Sequence, residues 1–244
     1  KGRTLWYKVD QNDFIINEHT CDVKSLFKNY YASCDGLSSY VLYPFESLVS
    51  LEEKHSTFHK YNTHNSDYGY LEIVRTVFER LDYKLNFHEY IEGVSKKSVS
   101  GDLAEMASLS VVNEEEFISL SPGLKVYRAG NRGFLPGNTN DVVILHNIDS
   151  VSQKRLLVFG DSFIKGTLKF LSIFFKEVFY IRSAFFHKDI VELYSPDVVF
   201  TSNAERYLCA VESDGLANNF IMSLYGSKYY SPSDSYLEAL GFKE

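Results

Sequence analysis

The sequence predicts an α/β fold, a three-layer sandwich on a mainly parallel sheet. Three observations carry this. From Asp141 onward, short apolar runs alternate with helix-patterned stretches, the order expected of strands joined by helical crossovers. The runs "RLLVF" and "DVVF" are apolar almost throughout, as strands are when both faces are covered. A chain of 244 residues at 45% hydrophobic can also bury a sizeable core. One domain spanning 1–244 is expected, with an irregular, loop-rich insertion at about 90–140.

The first twenty residues read as short strands, "TLWYKVD" and "DFIIN", and Val23–Tyr31 as a helix. "SSYVLYPF" reads as a strand that Pro44 ends, and "ESLVSLEEK" as a short helix with Glu46 near its start. A polar stretch, "FHKYNTHNSDYG", precedes a strong helix over 70–81. There Leu71, Val74, Val77, Phe78 and Leu81 recur at helical spacing, with Ser66 and Asp67 as caps. "SGDLAEMASL" gives a short helix, followed by the glycine-rich "AGNRGFLPGN". Then come strands at "DVVILHN" and "RLLVF", a helix over Phe163–Phe175, and a strand at "EVFYI". A helix over Lys188–Tyr194 and a strand at "DVVFTS" complete the pattern.

Charge and composition exclude several function classes. The formal net charge is −7 and no basic patch exceeds Lys96-Lys97, so nucleic acid is not expected as a partner. The three cysteines, Cys21, Cys34 and Cys209, form no C-x-x-C pair, which argues against a zinc ribbon or a disulfide framework. No apolar run reaches a membrane span, since Lys176 and Glu177 cut the run at Phe170–Phe175. No signal peptide is visible at Lys1. The 18 Tyr and 19 Phe fit either an aromatic core or a surface that stacks on sugar rings.

Ser162, in "LLVFGDSFIKG", stands where an apolar strand stops and a helical pattern begins. In open parallel sheets that strand end is where ligands bind, and a helix starting near Phe163 would aim free N–H groups at an oxyanion. The competing reading is that Asp161 and Ser162 cap the helix. Two other readings fail. A P-loop needs lysine after its second glycine, yet Lys165 precedes Gly166. A nucleophile elbow needs glycine two residues after the serine, where this chain has Ile164.

A serine nucleophile needs a base. Of seven histidines, His64 stands out, lying in the polar loop "YNTHNSDYG" just before a strong helix. His55 and His59, spaced i, i+4, raise a metallohydrolase reading. The zincin pattern requires Glu after the first histidine, however, and Ser56 is there instead, so no metal is expected.

The order of "NTHNSDYG" (Asn62–Gly69), "GDLAEM" (Gly101–Met106), "VFGDSF" (Val158–Phe163) and "SPDVVFTSNAERYL" (Ser195–Leu208) is similar to the alginate O-acetyltransferase family of AlgJ and AlgX type. The resemblance covers roughly Leu42 to Leu208. It implies an SGNH-hydrolase-like fold, with Ser162 as nucleophile and His64 as its histidine. The family's aspartate falls on Asn62, and the tryptophan that often follows the histidine is Asn65 here. Arg206 matches the "ERYL" motif, and an Arg–Glu structural pair also accounts for it.

The third member of such a triad orients the imidazole and stabilises the imidazolium. The amide of Asn62 can do the first and carries no charge for the second. Asp67 is a substitute close in sequence, though it also reads as a helix cap, and a dyad held by a backbone carbonyl is the remaining option. For the oxyanion hole the candidates are the Ser162 N–H, Asn203 and Gly101. Asn203 also reads as a turn residue capping a helix from Ala204.

The expected function is serine-dependent O-acetylation of a bacterial surface polysaccharide through an acyl-serine. No bound cofactor is expected, only an acetyl donor, either a small molecule or a partner acyl carrier. The acceptor is a polysaccharide or oligosaccharide. The alternatives are a carbohydrate esterase of the same fold and a non-catalytic glycan-binding pseudoenzyme. The resemblance implies the periplasm, and the absence of a visible signal the cytoplasm.

Overall fold

The computed structural model describes residues 41–131, 141–204, 207, 213–216 and 220. The N-terminal strands, the helix at Val23–Tyr31, Arg206 and the three cysteines lie outside them. The contacts gather the chain into two compact units, Lys1–Pro122 and Gly123–Glu244.

In the first unit, Val41–Tyr43 form no strand, and α1 (Phe45–Leu51) follows Pro44. Next is α2 (Asp67–Arg80), the helix read from the spacing. Ser66 is its N-cap, its hydroxyl accepting from Gly69 N–H at 3.1 Å. Leu71, Val74 and Phe78 are buried, and Phe78 meets Phe87 with ring centroids 5.6 Å apart. Leu81 caps the other end and is exposed.

Within the loop-rich insertion the sequence predicts at about 90–140, the described residues 90–131 are largely regular. β1 (Ile91–Val99) and β2 (Asn113–Leu120) pair antiparallel, with α3 (Asp102–Met106) between them, and β3 (Val126–Gly130) belongs to the second unit. Polar composition hid the hairpin. Lys96 and Lys97 stand opposite Glu116 and Glu115, so opposite charges face each other along the ladder in place of an apolar stripe. Lys97 also extends over the Phe117 ring, 5.3 Å from its centroid.

Among its described residues the second unit holds a five-stranded sheet in the order β3-β4-β6-β5-β7, with β4 (Val142–Asn147), β5 (Ser152–Gly160), β6 (Phe175–Arg182) and β7 (Val198–Ser202). It is a mixed sheet rather than a mainly parallel one. β6, β5 and β7 run parallel, while β3 pairs β4, and β4 pairs β6, antiparallel. The reason lies in the connection: only residues 148–151 join β4 to β5, too few for a parallel crossover, which takes about ten or more.

Leu157, Phe159 and Ile181 pack with Ile190 of α5 (Lys188–Tyr194) and Phe220. The alternate residues Leu156, Val158, Val178 and Tyr180 are equally buried, and α4 (Leu168–Phe174) packs against β4 and β6. The helix expected over Phe163–Phe175 is therefore shorter. A 3₁₀ turn at Lys165–Thr167 precedes it, and Phe175 already begins β6. Among the described residues no helix is long and apolar enough to cross a membrane.

Candidate active site

In the second unit the parallel strands place Ser162. β5 pairs Gly160 with Arg182 of β6 and with Ser202 of β7, so all three strands finish at the same edge, and Ser162 follows immediately. Glycine is required at 160, because a Cβ there would lie 2.7 Å from the Ser202 carbonyl oxygen and 2.8 Å from Ile164 Cγ2.

Asp161 does not cap a helix at Phe163, as the sequence allows, for none begins there. Its carboxylate joins two turns instead. Oδ1 accepts the Phe163 N–H at 2.8 Å, and Oδ2 accepts the Ala204 N–H at 2.6 Å. One side chain thus fixes the turn carrying Ser162 to the loop carrying Asn203. Both Ser162 and Asn203 are half-buried.

Beneath this turn lies Tyr180, fully buried, whose hydroxyl donates to the Asp161 carbonyl at 2.8 Å. Burial pushes its phenol well above the ordinary tyrosine range, so it remains a neutral donor. Nothing in the apolar run "EVFYI" distinguishes this tyrosine from a packing residue. Tyr180→Phe is expected to cost about 1–2 kcal/mol in stability, read from the denaturant midpoint.

The first unit carries His64. Tyr61 turns the chain with positive φ (58°), and Asn62 then folds its side chain over the next residues. Asn62 Oδ1 accepts the His64 backbone N–H at 2.9 Å and lies 3.1 Å from His64 Nδ1. An amide oxygen only accepts, so Nδ1 bears the proton and Nε2 the lone pair. The structure thus places the Asn62 side chain, named in the sequence for orienting the ring, against His64 Nδ1.

The "GDL" segment packs against the same loop. The Leu103 N–H donates to Tyr61 O at 2.9 Å. A Cβ on Gly101 would sit 1.9 Å from Tyr61 O and 2.9 Å from Asn62 N. This close approach accounts for the glycine without an oxyanion role. Asp102 follows, at the start of α3. Its Oδ1 accepts the Thr63 N–H at 2.6 Å, its Oδ2 accepts the Thr63 hydroxyl, and Oδ2 lies 3.3 Å from His64 Nδ1. From the sequence alone Asp102 has no assigned role. The only signal was its place in the motif beside Gly101.

Asp67, the substitute acid nearest in sequence, is engaged elsewhere: it is buried and accepts the Ile118 N–H at 2.8 Å. The other two histidines of the cluster have separate partners. His55 stacks on Tyr68 with centroids 4.0 Å apart, and His59 Nδ1 meets Glu115 Oε2 at 3.1 Å. Among the described residues, no three His, Cys, Asp or Glu side chains gather around one point.

No protein-family model and no curated protein sequence matches the chain. Solved structures do superpose on it. PatB1 of Bacillus cereus aligns with a TM-score of 0.54 at 12% identity, over 79% of this chain and 78% of its own. A DHHW family protein from Eubacterium siraeum gives 0.53 at 10% identity, over 77% of each. This chain shares their fold. The O-acetyltransferase domain of Pseudomonas putida AlgJ is among the other superposable structures, at a TM-score of 0.46 and 10% identity, over 91% of this chain and 80% of its own. At such identities the likeness is one of backbone, and the chemistry has to be argued from the side chains.

Proposed function

We propose that this chain is a serine-dependent O-acyltransferase of SGNH-hydrolase-like architecture that acetylates a polysaccharide. The observation that carries the reading is the imidazole of His64, held through Nδ1 by oxygen acceptors so that Nε2 is a base. Ser162 supports it from a strand end whose geometry is fixed by Gly160, Asp161 and Tyr180. The order of the four motifs adds the acetyl-transfer chemistry of the family they resemble.

In this mechanism His64 Nε2 takes the Ser162 proton as Oγ attacks the acetyl carbonyl of the donor. The developing oxyanion rests on the Ser162 N–H and the Asn203 amide, the two groups that Asp161 keeps together. Collapse expels the donor's leaving group, which receives the proton from the imidazolium, and acetyl-serine remains. A sugar hydroxyl then gives its proton to His64 and attacks the acetyl carbon. The second tetrahedral intermediate releases the acetylated sugar, and Ser162 recovers its proton.

The test is turnover of p-nitrophenyl acetate with and without an oligosaccharide acceptor, comparing wild type, Ser162→Ala and His64→Ala. Loss in both variants, with acetyl groups appearing on the acceptor only for wild type, is the expected result. Turnover that survives Ser162→Ala ends the serine mechanism, and turnover abolished by a chelator points to a metal.

A further inference from the structure

We propose that Asp102 supplies the negative charge that Asn62 lacks, so that two residues share the work of a single triad aspartate: Asn62 orients the imidazole of His64, and Asp102 stabilises its protonated form. The inference rests on the reading of His64 as the base for Ser162.

Three observations carry it. First, His64 Nδ1 lies 3.1 Å from Asn62 Oδ1 and 3.3 Å from Asp102 Oδ2, with the Thr63 hydroxyl at 3.4 Å. Second, the carboxylate is not a wandering surface acid. Thr63 holds both of its oxygens, through its N–H at 2.6 Å and through its hydroxyl, and Gly101 lets the "GDL" backbone come close enough for this to happen. Third, Asn62 is already occupied with a second task. Its Oδ1 accepts the His64 backbone N–H at 2.9 Å, which closes the turn that presents the ring.

The physics assigns the two roles. An amide oxygen selects the tautomer as well as a carboxylate does, but it offers only a dipole to an imidazolium. A full charge at 3.3 Å is worth far more at the moment the proton arrives. The His64 and Asp102 side chains are each 34% exposed, so solvent weakens the attraction. The ordinary use of an aspartate at this position, as an acid at the N-terminus of α3, needs neither its contact with Thr63 nor its approach to the imidazole.

The experiment moves the charge. Asp102→Asn retains an acceptor oxygen for the Thr63 N–H, and circular dichroism melting checks that the fold survives. Its kcat for acetyl turnover is expected to fall about ten- to a hundredfold, with KM changed less than threefold. Asn62→Asp in the Asp102→Asn background returns the carboxylate to the same ring nitrogen, and kcat is expected to recover to within about fivefold of wild type. Asn62→Asp alone is expected to raise kcat less than twofold, because the charge is already present. Wild-type kcat in Asp102→Asn overturns the proposal. So does a loss that the double variant fails to recover, since Asp102 would then be only a fastener of the loop. Ser162→Ala runs beside these as control: if it turns over normally, the acyl-serine reading falls, whereas an inactive Ser162→Ala with a fully active Asp102→Asn leaves that reading intact and removes this one.

Discussion

Ser162→Ala is expected to lower acetyl turnover by on the order of a thousandfold or more while leaving the unfolding midpoint within a degree or two. The activity half follows from the proposed acyl-serine mechanism, and the stability half comes from the structure. The turn is shaped by Gly160 packing against Ser202 O, by the two hydrogen bonds that Asp161 accepts, and by Tyr180 below. The alanine methyl fits the half-buried site. In the proposed mechanism the nucleophile is gone, and the base has nothing to deprotonate but water, so only the oxyanion donors and substrate binding remain. Thermal melting and steady-state kinetics on the same preparation check the two halves together.

Gly101→Ala is expected to show the opposite pattern, with stability and activity lost together. The new methyl would lie 1.9 Å from Tyr61 O and 2.3 Å from Tyr61 C. Neither atom is a flexible side-chain end, so the backbone must move. Relief by displacing the loop costs about 1–3 kcal/mol and shifts Asn62 and His64, one and three residues beyond Tyr61. A displacement of about 1 Å in a catalytic group can cost about a hundredfold in rate. A thermal midpoint several degrees lower, together with a kcat loss of about ten- to a hundredfold, is the expected result. Wild-type behaviour would mean that the two segments do not meet.

Contrast between these variants reflects what the sequence made legible. Strands β4 to β7 were readable because they are apolar runs, and α2 because its apolar spacing follows a capping serine. The hairpin β1–β2 was not, since "IEGVSKKSV" and "NEEEFISL" are held by facing charges, a pattern that emerges only once the register is known. The direction of β4 was in principle available from the short connection at 148–151, but apolarity carries no information about direction. The helix after Ser162 was overextended because the apolar pattern continues through a 3₁₀ turn at one end and into β6 at the other.

For the site, the sequence names Asn62 and His64, and it gives Asp102 no role although that residue lies inside the quoted "GDLAEM". Asn62 and His64 are neighbours on one turn. Asp102 reaches the same imidazole from a different segment, and Asp67, which is nearer in sequence, instead braces the start of β2's buried half through the Ile118 N–H. Sequence proximity was the wrong guide because a helix start and a loop can share a few residues and still face different partners.

One carboxylate fastens two strand-end turns, and that has a bearing on product partition. If Asp161 sets the spacing between the Ser162 N–H and Asn203, it acts on the tetrahedral species of acylation and deacylation alike. Loosening it with Asp161→Asn should slow both half-reactions by a common factor, so the ratio of acetyl delivered to sugar over acetyl lost to water stays constant as the total falls. Side chains that alter that ratio must then be sought where the acceptor docks, away from this joint.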